Sequence, residues 1–188
     1  AAAALRAIAR LNDIASATDG LGDIARQLGS DVPVCLETRA AIMSGRGEIV
    51  RRPADGARLL PSGIHAVLVN PSRPVATAAV FKALDASPVG EVAPSTDAPP
   101  KPFRDIDELI GFLATTRNDL EPPARDIEPA IARVLTAIVA QSDCRIARMS
   151  GSGATCFGIF ATTRSAAAAA AAIARSEPAW WSRSTRLV

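Results

Sequence analysis

Apolar and polar positions along this 188-residue chain follow a helical period in its first part. Leu5, Ile8 and Leu11 recur at the spacing of one helix face and predict a helix at the start of the sequence. The stretch LGDIARQLG, residues 21–29, predicts a second short helix that ends at a glycine. We expect a turn at residues 19–20, where Asp precedes Gly.

Turn residues divide the rest of the chain into short strands and helices. Pro33 favours an extended residue before it, so we expect a strand to follow Asp31. Residues 39–52, RAAIMSGRGEIVRR, predict a hairpin with its tip at 45–47, and a helix at 74–85 should carry a proline in its first turn. Further strands are predicted at residues 64–70, 144–149, 154–161 and 181–188, helices at 105–115, 129–141 and 165–175, and a loop at 87–102. Interleaved strands and helices of this kind indicate an α+β fold.

Composition then narrows the function classes. The formal net charge of +2 and the absence of a Lys/Arg block argue against nucleic acid as a partner, and the apolar runs are too short to span a membrane. Three widely spaced cysteines in apolar sequence, Cys35, Cys144 and Cys156, predict reduced, buried thiols in a cytoplasmic protein. With His65 as the sole histidine, a Cys/His zinc site is excluded and no metal-ligating residue is predicted. An enzyme or a small-molecule binder remains.

Two short stretches have the chemistry for a site. Residues 150–153 join two apolar strands, and their glycines let backbone N–H groups converge into an anion-binding nest. The alternative is a hairpin turn that only needs positive φ. Asp31 lies at the end of an element, where catalytic side chains are often displayed, but it also fits a turn residue that bonds its own backbone. Asn118 and Asp119 are interpreted as residues that cap or bend a connection.

The order of these stretches resembles the GHMP kinase superfamily. The resemblance rests on LGSDVPVCLETRAAIMSGRGEIV, then NPSRPVATAAVFKALD, then RMSGSGATCFGIF, and it covers essentially the whole chain. Within the superfamily, the chain is most similar to kinases that phosphorylate a hydroxyl of a cytidine-diphosphate-linked methylerythritol in non-mevalonate isoprenoid synthesis. The resemblance implies ATP and its accompanying Mg²⁺ as cofactors, with a small-molecule substrate as the other partner.

The resemblance also implies a two-lobe fold and the roles of particular residues. Residues 1–60 would be the remainder of the N-terminal, ATP-binding, S5-like domain, and residues 61–188 the C-terminal GHMP kinase domain. Asp31 falls on the catalytic aspartate. The other site residues implied are Thr77 and Phe81 on the substrate side, and Ser150, Gly151, Ser152 and Gly153 in a loop near the phosphates.

The family pattern places a glycine-rich ATP loop and a catalytic lysine upstream of Ala1, so we expect this chain by itself to lack them and to be inactive. Two alternatives stay open. The chain could come from a GHMP kinase that acts on another small alcohol, or it could be a non-catalytic module that only binds substrate. Asp31 favours catalysis, because natural loss of activity would be expected to remove the base. The sequence predicts no particular oligomeric state.

Overall fold

The computed structural model describes residues 1–14, 19–29, 31–44, 49–84 and 100–187. Contacts divide the chain into two compact units. Of the described residues, the first unit contains 1–61 and 100–103, and the second contains 62–84 and 104–187. The first unit is called the helical unit below, and the second the sheet unit.

The helical unit packs two helices against a third. Its elements are α1 (Ala2–Leu11), α2 (Asp19–Leu28), α3 (Val32–Glu37), β1 (Ile42–Ser44), β2 (Ile49–Arg51) and a short 3₁₀ turn (Ala54–Gly56). Its small core forms where α1 and α2 meet α3, and contains Ala9, Leu21, Ala25 and Leu36. The strands β1 and β2 pair antiparallel, as the hairpin prediction requires, and the predicted tip at 45–47 lies outside the described residues.

The sheet unit is a four-stranded antiparallel sheet with helices packed on it. Its elements are β3 (Ile64–Asn70), α4 (Thr77–Ala83), α5 (Ile106–Thr115), α6 (Glu121–Ile127), α7 (Ala130–Val139), β4 (Cys144–Met149), β5 (Cys156–Phe160), α8 (Thr163–Ser176) and β6 (Trp181–Leu187). The strand order is β4-β5-β3-β6. α7 packs on β4 and β5, and α8 packs mainly on β3 and β6, so fully buried side chains such as Val67, Ile138 and Ile173 form the core between them.

Most predicted elements of the sheet unit are confirmed, as is the α+β class. The apolar run at 64–70 is β3, which lies inside the sheet because it pairs with β5 on one side and with β6 on the other. The alanine-rich segment is α8, which begins with a capping box: Thr162 accepts a hydrogen bond from the Ser165 backbone, and the Ser165 hydroxyl accepts one from the Thr162 backbone. The loop predicted at 87–102 falls mostly outside the described residues.

Several local predictions are wrong. Residues 19–20 do not form a turn but begin α2. No strand follows Asp31, because Val32 and Pro33 occupy the first turn of α3, where proline's missing N–H has no helical partner to lose. α4 begins at Thr77, so Pro74 precedes the helix, and α6 was not predicted at all.

The thiols also differ from the prediction in part. Cys156 is buried and Cys144 is half-buried, but Cys35 is exposed on α3. All three are free cysteines.

Candidate functional site

The register of the sheet brings the Ser-Gly loop, residues 150–153, to the end of β3. Met149 at the end of β4 pairs with Cys156 at the start of β5, and Cys156 also pairs with Val69 near the end of β3. The turn between β4 and β5 therefore lies at the same end of the sheet as the connection from β3 to α4. The Asn70 side chain spans the two, donating a 2.9 Å hydrogen bond to Oγ1 of Thr155.

Two backbone hydrogen bonds fix the shape of the loop. The N–H of Ser150 donates to the carbonyl of Thr155 at 2.9 Å, and the N–H of Gly153 donates to the carbonyl of Ser150 at 3.0 Å. Gly151 and Gly153 have φ of +56° and +87°, in the region that favours glycine. The turn explanation and the nest explanation are compatible so far, because both need positive φ at these positions.

The loop also exposes hydrogen-bond donors. Among the residues that the structure describes, the backbone N–H groups of Gly151 and Ser152 have no hydrogen-bond acceptor. Gly151 is exposed and Ser152 is partly exposed, so water or a ligand can reach these groups. Successive free N–H groups beside a residue with positive φ are the arrangement that binds anions in backbone nests.

Of the residues predicted on the substrate side, Thr77 reaches this loop. Its hydroxyl forms a 2.9 Å hydrogen bond with the hydroxyl of Ser152, which joins the first residue of α4 to the loop. Phe81 lies one helical turn further along α4, on the same face as Thr77, and 55% of it is exposed. The structure thus brings Thr77 and the loop together and leaves an accessible aromatic ring on the adjoining turn.

Asn118 contacts the loop in a way that the sequence did not indicate. Its side-chain amide donates to the carbonyls of Met149 and Gly151, at 3.1 and 2.8 Å. Nearby, the Arg148 guanidinium donates at 2.8 Å to the carbonyls of Leu113 and of Thr116, at the C-terminus of α5. The sequence signal was limited to an Asn-Asp pair after a helix, which predicted the bend but not contacts with residues more than thirty positions away.

Charges close to the loop are mostly paired. Arg117 and Asp119 form an ion pair at 2.5 Å, and the hydrogen bond that Arg117 donates to the Asp119 carboxylate raises the pKa of Arg117. Glu121 pairs with Arg125 at 3.5 Å. Cys156, at the start of β5, is fully buried, and burial first and the Glu121 charge second raise the pKa of its thiol to about 12. The thiol is therefore neutral at physiological pH.

Asp31 belongs to the helical unit, where it precedes α3 as its N-cap residue. Its backbone is near-helical, with φ −86° and ψ −12°, and its side chain makes no capping hydrogen bond to α3. The residue is exposed. The capping geometry therefore does not support the explanation of Asp31 as a residue that bonds its own turn.

No site for a metal ion is evident in the part of the chain that the structure describes: no three His, Cys, Asp or Glu side chains group together there. The Ser-Gly loop, by contrast, fits an anionic group such as a phosphate, since it combines free N–H donors with hydroxyls. Within the described ranges, no helix combines the length and hydropathy needed to cross a membrane.

Comparison with known proteins identifies the sheet unit. Residues 101–179 match the family described as GHMP kinases C terminal, a range that holds the Ser-Gly loop and α5 to α8. Residues 101–179 thus form a GHMP kinase C-terminal domain. The resemblance read from the three sequence stretches is confirmed.

Curated relatives match nearly the whole of this chain. It is 48% identical over 182 residues to 4-diphosphocytidyl-2-C-methyl-D-erythritol kinase of Methylobacterium radiotolerans, covering 96% of this chain and 60% of the relative. The kinase of the same name from Cereibacter sphaeroides is 47% identical over 195 residues, covering 100% of this chain and 64% of the relative. The chain thus spans about three fifths of the length of the curated relatives that it matches.

A solved structure supports the same assignment of fold. The crystal structure of 4-(cytidine 5′-diphospho)-2C-methyl-D-erythritol kinase matches this chain with a TM-score of 0.67 and 29% identity. The match covers 97% of this chain and 62% of the other. The similarity to this solved structure therefore includes residues of both units of the chain.

Proposed function

We propose that the protein is an ATP-dependent kinase that phosphorylates a hydroxyl of 4-diphosphocytidyl-2-C-methyl-D-erythritol, a step in the synthesis of isoprenoid precursors. The observation that carries the proposal is the identity of 44–48% to kinases of this name across 96–100% of the chain. The geometry of the Ser-Gly loop supports it, because free N–H donors beside the hydroxyls of Ser152 and Thr77 suit a phosphorylated ligand.

In this proposal Asp31 is the catalytic base. The substrate hydroxyl oxygen forms a bond to the γ-phosphorus of ATP, the bond from that phosphorus to the β-phosphate oxygen breaks, and the hydroxyl proton passes to the Asp31 carboxylate. In a loose transition state the proton need not leave early, so a carboxylate suffices as base. The exposed side chain of Asp31, free of a capping bond, supports this role.

The Ser-Gly loop would hold phosphate oxygens through Gly151 and Ser152. Such donors are most useful when they are already oriented, since they then stabilise developing charge without reorganising. Ser150 and Gly153 contribute the backbone hydrogen bond that closes the loop. Thr77 and Phe81 would contact the acceptor substrate, with the exposed Phe81 ring packing against the cytidine base.

The remaining assignments follow from the same proposal. Residues 1–60 would belong to the ATP-binding domain and residues 61–188 to the C-terminal domain, and the change of unit after Pro61 supports this boundary. Mg²⁺ would accompany ATP and help to neutralise its phosphates. We place the enzyme in the cytoplasm, which is consistent with three free thiols at Cys35, Cys144 and Cys156.

Turnover by the protein at its full natural length tests the proposal. ADP release should depend on 4-diphosphocytidyl-2-C-methyl-D-erythritol, and a new phosphomonoester should appear in the ³¹P spectrum. Methylerythritol 4-phosphate, which lacks the cytidine, is the matched substrate control. Turnover of cytidine-free alcohols alone would identify a different GHMP kinase, and binding without any turnover would leave a non-catalytic module.

Asp31→Asn tests the base. The substitution keeps the shape of the side chain but removes the proton acceptor, so kcat should fall by about 10²-fold or more. Stability should change by less than about 0.5 kcal/mol, because the side chain is exposed and caps nothing. Asp13→Asn is the control, since Asp13 is an exposed carboxylate in the same unit. Turnover by Asp31→Asn at the parent rate would contradict the assignment.

A further inference from the structure

Asn118 uses its full donor capacity on the segment that leads into and through the Ser-Gly loop. The two hydrogens of its amide nitrogen go to the carbonyls of Met149 (3.1 Å) and Gly151 (2.8 Å), and its Oδ1 accepts the N–H of Leu120 at 3.1 Å. Only this orientation of the amide satisfies all three contacts, because a flipped amide would face oxygen toward two carbonyls and nitrogen toward an N–H.

These contacts decide the polarity of the loop. Three successive carbonyls are engaged: those of Met149 and Gly151 by Asn118, and that of Ser150 by the N–H of Gly153 at 3.0 Å. The N–H groups of Gly151 and Ser152 have no acceptor within the described part of the chain. At this part of the loop the free N–H groups of Gly151 and Ser152 are thus left as donors beside the Ser152 hydroxyl, and donors are what a phosphate needs, since its oxygens only accept.

We propose that Asn118 is a positioning residue for the phosphate-binding loop. By holding the Met149 and Gly151 carbonyls, it keeps acceptor oxygens away from the phosphate and leaves the N–H groups of Gly151 and Ser152 directed to it. The inference rests on the proposed function in one respect: it takes the ligand of the loop to be a phosphate of ATP. Asn118 itself does not touch the reacting atoms.

Asn118→Asp is the most informative substitution, because it keeps the shape of the side chain and reverses its hydrogen bonding. The ionised carboxylate has no donor, and one of its oxygens would face two carbonyl oxygens at about 3 Å. The freed carbonyls can then rotate toward the ligand, and the added negative charge opposes a phosphate as well. Asn118→Ala removes the donors without adding charge and separates the two effects.

The matched control is Gln141→Glu. The Gln141 amide donates to the carbonyl of Ala137 at 2.9 Å, so the substitution again replaces an amide that holds a backbone carbonyl with a carboxylate. Gln141 precedes β4, however, whereas the Ser-Gly loop follows β4, so the two lie at opposite ends of that strand.

The experiment measures binding of a non-hydrolysable ATP analogue by calorimetry, on the protein at its full natural length. Asn118→Asp should weaken the analogue by about 10-fold or more, the effect of leaving buried or bound polar groups unmatched. The Kd for the acceptor substrate should stay close to the parent value, and the Tm should fall because the two hydrogen bonds of Asn118 to the Met149 and Gly151 carbonyls are lost. The facing carbonyl oxygens and the bound phosphate disfavour the ionised form of the introduced carboxyl and raise its pKa. As pH falls from 8 to 5 more of it is therefore protonated and regains one donor, so the loss of affinity should become smaller. Gln141→Glu should bind the analogue as the parent does.

Asn118→Ala should raise the Kd of the analogue less than Asn118→Asp does, and its loss of affinity should be the same at pH 8 and pH 5. If Asn118→Asp does not fold, the Kd of Asn118→Ala is the test of the inference. Unchanged analogue affinity in a folded variant overturns the inference. So does an equal loss of affinity for analogue and acceptor, which is the signature of general damage. A parent that binds the analogue but does not phosphorylate the cytidine substrate contradicts the proposed function alone, and a parent that does not bind the analogue contradicts the inference too.

Discussion

At the scale of single residues, Gly151 and Gly153 share a positive φ but differ in their surroundings. A Cβ on Gly151 would meet nothing within 4 Å, whereas one on Gly153 would lie 2.9 Å from Sδ of Met149 and 3.2 Å from Cδ1 of Ile131. Both positions carry the backbone strain of a left-handed residue, about 1–2 kcal/mol. Gly153 adds the cost of overpacking a core that is already filled.

We therefore expect Gly153→Ala to lower the free energy of unfolding by roughly 2–5 kcal/mol, the sum of strain and overpacking. Gly151→Ala should cost only about 1–2 kcal/mol, from strain alone. Urea denaturation of the two variants side by side measures the difference. Equal losses would mean that Met149 and Ile131 yield without cost, and that Gly153 is needed only for its backbone conformation.

The exposure of the Phe81 ring allows its contribution to stability to be separated from its contribution to substrate binding. A ring that is 55% exposed contributes little to the core, so Phe81→Ala should leave the Tm nearly unchanged. If the ring packs against the cytidine base, KM for the acceptor substrate should rise by about 10-fold with little change in KM for ATP, since aromatic pairs contribute about 0.5–1.5 kcal/mol beyond the area that they bury. Lys82→Ala, the exposed neighbour, is the control. Equal KM values for parent and Phe81→Ala would remove Phe81 from the substrate site.

At the scale of elements, α8 shows how small side chains place a helix on a sheet. Ala166, Ala169 and Ala170 are almost fully buried against the strands, and the carbonyl of Ala170 accepts a 3.2 Å hydrogen bond from the hydroxyl of the buried Ser182 on β6. These methyl side chains leave α8 packed directly against the strands. The opposite face of the same helix, which includes Ala168, is exposed.

Ala169→Leu should therefore destabilise the sheet unit by about 1–3 kcal/mol, because the added atoms must push α8 away from the sheet. Ala168→Leu makes the same chemical change on the exposed face and should alter stability by less than about 0.5 kcal/mol. Thermal melts of the two variants provide the comparison. A loss of similar size in both would mean that helix propensity and not packing sets the effect.

Elements with a clear period were predictable from sequence, and those that depend on a proline were not. The run at 64–70 and the alanine-rich segment at 165–175 correspond to β3 and α8, since burial on one or both faces dictates their composition. α3 and α6 both carry proline in their first turn, where it is compatible with a helix as well as with an extended segment. Tertiary packing decides, through the buried Leu36 of α3 and Ala124 of α6.

The same distinction applies to the site. The turn at Gly151 and Ser152 was predictable, because Ser and Gly between two apolar strands are typical of a turn, whereas the role of these two residues as a phosphate site stays a prediction. The hydrogen bonds from Asn118 were not, because they join residues 31 and 33 positions apart and leave no local pattern. Asp31 was proposed as the catalytic aspartate by family resemblance. The strand predicted after it is instead helix α3, but its exposed side chain agrees with the proposed role.

At the scale of the whole molecule, the buried thiols should make the free energy of unfolding depend on pH in the alkaline range. Burial raises the pKa of Cys156 from 9.0 to about 12, with the Glu121 charge as a smaller cause, and burial raises the pKa of Cys144 in the same direction. The chain has no Tyr, and its lysines are Lys82 and Lys101. Few other groups titrate in this range, so the contribution of the thiols should be visible in the stability of the protein.

A thiol whose pKa is higher in the folded protein than in the unfolded chain stabilises the folded state at pH values below its unfolded-state pKa. This stabilisation is lost as the pH rises toward the folded-state pKa. Between pH 9 and about 12 the unfolded chain has released the Cys156 proton while the folded chain retains it, so the free energy of unfolding should fall with pH. One thiol contributes a slope of at most about 1.4 kcal/mol per pH unit. Urea denaturation at pH 8, 9, 10 and 11 measures it.

Cys156→Ala isolates this contribution. The variant should be less stable than the parent at pH 8, since it loses the packing of a buried sulfur, and the gap between the two should close as pH rises because only the parent loses stability through this thiol. Cys35→Ala, the same substitution at a thiol exposed on α3, is the control. A constant gap between parent and Cys156→Ala from pH 8 to 11 would show that the Cys156 thiol ionises no later in the folded protein than in the unfolded chain.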